Sequence, residues 1–219
     1  MAARRRWSTE EILDTATELL RTGDPESFSV RQLAVALGTD SSSLYRHFRN
    51  KTDLLREISD RVIVAALDGY VPDGDWRQRM MAVGMRLWDA FGQHPQLAAI
   101  WGRYASSGLG SRLTMELALQ ALRDSGLPEE EIPAQYHRLA TLLVALIATG
   151  AGAVDPEEYE QGRELFRVAV LGADPDRFPA LAHFARDLQP VKDDRRAAFA
   201  DIISAHLDLI EARIPAGHA

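Results

Sequence analysis

Residues Ser29–Lys51 read SVRQLAVALGTDSSSLYRHFRNK. Ser29 and Gln32 have the spacing of a capping box, in which each side chain satisfies a free backbone N–H of the other's residue. A helix therefore opens here, with Val30, Leu33, Ala34 and Leu37 facing a core. Gly38 suits the left-handed backbone that ends a helix abruptly. Asp40 or Ser41 can cap a further helix running to about Phe48. In that helix Leu44 and Phe48 share a face and can anchor it. Ser29, Arg31, Ser41, Ser42, Ser43, Tyr45, Arg46, His47 and Lys51 are left as the candidate DNA contacts. Small hydroxyl side chains allow close approach and can bond base edges or phosphates, while Arg31 carries paired donors that suit a guanine. Arg49 and Lys51 follow the helix, where phosphates of a groove wall would lie. This is the spacing of a DNA-reading helix-turn-helix.

Working outward, the whole chain reads as all-α, since strand-like alternation is missing and Leu and Ala outweigh the β-branched residues. A first helix starts at Ser8 or Thr9, with Ser8 and Glu11 as another capping box, and stops at Thr22-Gly23-Asp24-Pro25. Asn50 caps a fourth helix that extends to about Leu67. The stretch Asp68–Asp75, with Gly69, Pro72 and Gly74, is the clearest break. Residues 1–55 are thus expected to be a three-helix head with a linking helix to about 67, and 68–219 a larger C-terminal helical ligand-binding and dimerisation domain. Helices are expected there at Trp76–Gln93, Pro95–Ser106, Ser111–Ser125, Glu129–Gly152, Pro156–Leu171, Phe178–Leu188 and Asp194–Ile214.

Charge agrees with that division. The formal net charge is −7 over 219 residues, yet Ser29–Lys51 holds four basic residues and one acid, and Arg4, Arg5 and Arg6 precede it. A basic head on an acidic body suits a protein that touches DNA at one end. The absence of cysteine excludes disulfides, thiolate-bound zinc and thiol catalysis. The six histidines are scattered without metal-ligand spacing, and no nucleophile elbow, P-loop or dinucleotide motif occurs. No enzyme, cofactor or metal is therefore assigned. The polar residues after MAARRRW argue against a signal peptide, and the uncharged run Leu139–Val154 is short for a membrane helix, so a cytoplasmic location is expected.

Residues from about Trp7 to Leu67 resemble the DNA-binding head of the TetR (tetracycline repressor) family. The resemblance rests on Ser29-Val30-Arg31-Gln32-Leu33-Ala34, Leu37-Gly38, Leu44-Tyr45-Arg46-His47-Phe48 and Asn50-Lys51-Thr52-Asp53-Leu54-Leu55. It implies that Tyr45 and Lys51 contact phosphates, that Arg31 reads a guanine, and that Ser41, Ser42 and Ser43 stand at recognition-helix contacts. Residue types differ from the family's namesake at those serines and at Arg46, so its operator does not carry over. The tail, with Phe178-Pro179-Ala180-Leu181 and Phe199 before a final amphipathic helix, is similar to the tetracycline-repressor type of C-terminal domain. In that type the last helix and the long apolar helix build a dimer.

The expected homodimer interface is Leu139, Leu143, Leu146, Phe199, Ile203, His206, Leu207 and Ile210, with intramolecular core as the alternative. Met81, Met85, Trp88, Phe91, Trp101, Tyr104, Tyr136 and His137 are candidate walls of a pocket for a small, largely apolar effector. Residues at such spacing also suit plain core. Arg103 and Gln120 are further candidate polar anchors. The expected function is a ligand-responsive repressor binding a pseudo-palindromic operator in double-stranded DNA as a dimer. A helix-turn-helix adaptor for proteins and an all-α enzyme are the rival readings.

Overall fold

The computed structural model describes residues 6–22, 28–103, 107–151, 156–188 and 194–215. Those residues form eleven α-helices and no strand. They are α1 (Thr9–Thr22), α2 (Val30–Ala36), α3 (Ser41–Leu44), α4 (Lys51–Leu67), α5 (Trp76–Gly92), α6 (Pro95–Arg103), α7 (Leu109–Asp124), α8 (Ile132–Gly150), α9 (Pro156–Leu171), α10 (Pro179–Phe184) and α11 (Arg195–Glu211). Residues 1–153 and 196–219 make one compact unit and 154–195 a second.

Local signals set the head. The Ser8–Glu11 box closes with bonds of 2.9 and 3.1 Å, and the Ser29–Gln32 box with 2.8 and 3.2 Å. Gly38 has φ +61°. Its N–H donates to Val35 O, and the next N–H, from Thr39, reaches back to Ala34 O. This pair of bonds satisfies the last carbonyls of α2 and needs the left-handed residue that glycine supplies without strain. Asp40 caps α3 through Ser43 N at 2.9 Å, and Asn50 caps α4 through Asp53 N at 2.8 Å.

Three boundaries differ from expectation. The regular part of α3 ends at Leu44, because His47 N turns to Leu44 O and tightens the ladder before Asn50 starts the next helix. The acids at Glu129–Glu131 form a turn ahead of α8, whose first turn contains Pro133. Finally, α10 stops at Phe184, and residues 185–188 are turns.

In the first unit one continuous core runs from Ile12, Leu20, Leu33 and Leu44 through Leu54, Ile58 and Ile63 of α4 to Leu87, Phe91, Leu122, Ile147, Phe199 and Ile203. Phe199, 1% exposed, packs against Trp88 with ring centroids 4.5 Å apart. Ion pairs reinforce the α5–α11 seam: Arg77 with Asp208 and Glu211, and Arg196 with Asp89. Truncating a buried aromatic forfeits its transfer energy and leaves a cavity. Phe199→Ala is expected to lower unfolding free energy by about 3–5 kcal/mol; urea denaturation should show it as a lower midpoint at unchanged slope.

Candidate functional site

Leu44 and Phe48 are 2% and 5% exposed, so α3 is pinned by the two residues four apart on one face. Tyr45 is 50% exposed, and Ser42, Arg46, His47 and Arg31 also reach solvent. Ser41, Ser43, Ser29 and Lys51 are half-buried. The expected DNA residues therefore share the head, but several are already engaged. Asp40 accepts the hydroxyl of Ser42 and, at 3.2 Å, that of Ser43. Arg46 Nη2 donates to Ser43 Oγ at 3.2 Å. The His47 ring pairs through Nδ1 with Thr9 Oγ1 at 3.0 Å, which ties α3 to α1. Lys51 Nζ donates to Phe28 O and lies 5.6 Å from the Phe28 ring centroid. Ser29 is committed to its capping box. Arg49 pairs with Asp53 at 2.7 Å and holds that carboxyl below its ordinary pKa. Spacing left the cap open between Asp40 and Ser41; the structure shows Asp40 as the cap and shows it gathering hydroxyls.

The body holds a cavity of about 350 Å³. Its wall is formed by Ile63 of α4, Met80, Val83 and Gly84 of α5, Trp101 and Gly102 of α6, Ser111, Thr114, Met115 and Ala118 of α7, Tyr136, Leu139, Ala140, Leu143 and Val144 of α8, and Ile203 of α11. Ser111, Thr114 and Tyr136 supply polar groups to it, and among the described residues no carboxylate, imidazole, amine or guanidinium lines it. Burial pushes the Tyr136 phenol up, so it stays protonated and able to donate. Trp101 is backed by Phe91, with centroids 4.7 Å apart and planes 12° from parallel. A larger groove of about 510 Å³ between α1, α4 and α5 is lined by Asp14, Glu18, Arg61, Arg86 and Asp89 among others. Several of its charged groups are already engaged, Arg61 with Asp14 at 2.7 Å and Asp89 with Arg196 at 2.7 Å. The apolar cavity is the better ligand site, because its walls exclude water around a few placed polar groups.

The expected lining needs correction. Trp101 and Tyr136 face the cavity, whereas Met81, Met85, Trp88, Phe91 and His137 do not. The inward face of α5 is set by Met80, Val83 and Gly84, one position round from the stripe expected at Met81 and Met85, which are half-buried against core. Trp88 packs on Phe199, Phe91 lies behind Trp101, and His137 is exposed with Nδ1 2.7 Å from Pro133 O. Gln120 is exposed and bonds Glu116 at 2.6 Å. Tyr104 and the Arg103 side chain lie outside the described residues. The α7 contribution was missed because Ser111, Thr114 and Met115 look like any amphipathic turn.

The expected dimer residues are divided between core and half-buried positions. Leu139, Phe199, Ile203, Leu207 and Ile210 are between 0% and 8% exposed within a single chain, so they are core. Leu143, Leu146 and His206 are half-buried. Burial, with Arg138 and Arg213 nearby, pushes the His206 pKa below its ordinary value. Outward-facing residues include Thr141, Ala145 and Thr149 on α8 and Ile202, Ala205 and Leu209 on α11, beside the exposed charges of Arg138, Asp201 and Asp208. The two helices are linked by Arg213 and Glu131 at 3.4 Å. Among the described residues no cluster of His, Asp or Glu could hold a metal ion, and no helix is long and apolar enough to cross a membrane.

Two family patterns match the sequence: bacterial regulatory proteins of the tetR family over residues 12–58, and the tetracyclin repressor-like C-terminal domain over residues 69–213. The HTH-type transcriptional repressor DrrR1 of Streptomyces coeruleorubidus is 26% identical over 156 residues, 71% of this chain and 55% of that protein. The chain spans about half the length of the curated relatives it matches first. Among solved structures, a candidate transcriptional regulator from Streptomyces coelicolor A3(2) is 60% identical, with TM-score 0.81, covering 96% of this chain and all of that one. The S. coelicolor TetR family protein ActR, in complex with actinorhodin, is 25% identical with TM-score 0.79, covering 94% and 98%.

The cavity's chemistry makes a prediction of its own. The uncharged fluorophore N-phenyl-1-naphthylamine is expected to brighten on entering it, and its anionic sulfonate relative to bind about tenfold or more weaker, since no cation of the described wall meets the charge. Ala118→Trp should abolish the signal in a fluorescence titration; equal binding to that variant would place the probe elsewhere.

Proposed function

The chain belongs to the TetR family of bacterial regulatory proteins, and from that premise we propose that it is a DNA-binding transcriptional repressor released by an uncharged, largely apolar small molecule. In this reading residues 1–55 are the DNA-binding head, α4 the link, and 68–219 the regulatory and dimerisation body of a cytoplasmic protein. The observation that carries it is one continuous core joining an exposed helix-turn-helix to a cavity whose described wall is uncharged. ActR, of like fold, is seen in complex with actinorhodin, and DrrR1 bears the name of a repressor. Both favour ligand-controlled repression here.

Each short α3 covers only a half-site, so two heads in two-fold symmetry are needed for operator-length recognition. The outward faces of α8 and α11, with small residues on one and Ile202 and Leu209 on the other, support a homodimer closed by four helices. The serine hydroxyls now held by Asp40 would rotate toward DNA, and Tyr45 and Lys51 would clamp phosphate. Exposed Arg31 on α2 would read a base edge.

Selection of bound sequences from random duplex DNA tests the proposal. It should recover a palindrome, bound with a steep salt dependence; no enrichment would sink the DNA-binding reading in favour of a protein-binding adaptor. On the recovered site, Tyr45→Ala and Lys51→Ala should weaken binding alike across sequences. Arg31→Ala should instead relax preference at one base step by about 1–3 kcal/mol, and an unchanged sequence profile would reject that contact.

A further inference from the structure

The first turn of α7 serves two purposes. Ser111 and Thr114 belong to the cavity wall. The backbone N–H groups of Gly110 and Ser111 meanwhile donate to the two carboxylate oxygens of Asp60 on α4, at 2.9 and 3.0 Å. A helix N-terminus leaves backbone donors unsatisfied and carries partial positive charge. The N-cap position of α7 is Gly108, which has no side chain to accept from them, so the acceptor comes from a different helix. Asp60 is 6% exposed. Its carboxylate is largely out of water, a state that is tolerable only where hydrogen bonds replace solvent.

The approach is also close. A Cβ on Gly108 would stand 2.2 Å from Asp60 Oδ2, and one on Gly110 would stand 2.5 Å from the Asp60 backbone oxygen and 2.8 Å from Ile63 Cβ. The start of α7 therefore lies on α4 with no side chain of its own between them. Ile63, one turn beyond Asp60, is itself cavity wall.

We infer that Asp60 is the positioning residue of the effector response, joining the cavity wall on α7 to the helix that carries the DNA head. This rests on the ligand-released repressor reading. A ligand that displaces the Ser111–Thr114 turn would strip donors from a buried carboxylate unless α4 moves with it. An apolar contact can slide, but this pair of charge-assisted bonds resists sliding and passes the displacement on. The shift in operator affinity then equals the difference in cavity occupancy free energy between the two placements of α4.

A double-mutant cycle on the full chain tests the joint, with the best duplex from random selection as operator. Ala118→Trp fills the cavity in place of a ligand. It should weaken operator binding about tenfold or more in the wild-type background, and about twofold or less with Asp60→Asn. Asp60→Asn should also speed hydrogen exchange at the Gly110 and Ser111 amides. An equal cost of Ala118→Trp in both backgrounds overturns the inference while the repressor reading stands. If neither Ala118→Trp nor N-phenyl-1-naphthylamine changes operator affinity of the otherwise unaltered protein, ligand release fails and the inference falls with it. Should Asp60→Asn not fold, Gly110→Ala wedges the two helices apart directly. It should weaken operator binding by itself, and unchanged affinity overturns the inference.

Discussion

Helix α4 must satisfy two neighbourhoods with one surface of 17 residues. It packs on α1 in the head and on α5, α6 and α7 in the body. Leu54, Leu55, Ile58, Ser59, Asp60, Val62, Ile63 and Leu67 are all buried, too many consecutive positions for a single stripe. A helix covered on most sides is normally apolar all round, and α4 departs from this at two residues. Ser59 is answered locally, its hydroxyl bonding Leu55 O at 3.0 Å. Asp60 is answered from another helix, by the Gly110 and Ser111 N–H groups of α7. The head and the body thus have one core in common, and neither can be repacked without the other.

The proposed DNA-reading surface shows a complementary economy. In the free chain several of its polar side chains are already bonded: Ser42 and Ser43 to Asp40, Arg46 to Ser43, His47 to Thr9, and Lys51 to Phe28 O. These bonds fix rotamers and reduce the side-chain entropy lost when DNA is bound. They also set a threshold, since each bond broken has to be replaced by one to a base or a phosphate. Asp40 sharpens the point: its carboxylate stands at the start of α3, where phosphate would otherwise be welcome. Sequences offering good replacements at the serines are favoured over mere negative charge.

Head and body differ in how far the sequence disclosed them, and the reason is the range of the interactions. The caps at Ser8, Ser29 and Asn50 and the left-handed Gly38 act over three or four residues, so spacing reveals them. The same holds for Leu44 and Phe48. The cavity depends on rotations of six helices about their axes, and an error of one position on α5 replaced Met80 with Met81. The stripe Phe199, Ile203, Leu207, Ile210 was visible too, but a stripe states only that it must be covered. That its cover is α5 and the rest of the same chain follows from partners more than 100 residues away, such as Trp88 and Asp89. Asp60 was silent for the same reason, its partners being 50 and 51 residues downstream.

The pairing of Trp101 with Phe91 has an optical consequence. The chain has four tryptophans, and of these Trp101 belongs to the cavity wall. A ligand with its own π-system would come to rest against an indole whose far face is already occupied by a phenyl ring. The stacked phenyl ring restrains that indole. A ligand entering the cavity would alter the Trp101 share of an emission to which the other three tryptophans also contribute, and the protein would carry its own reporter of saturation.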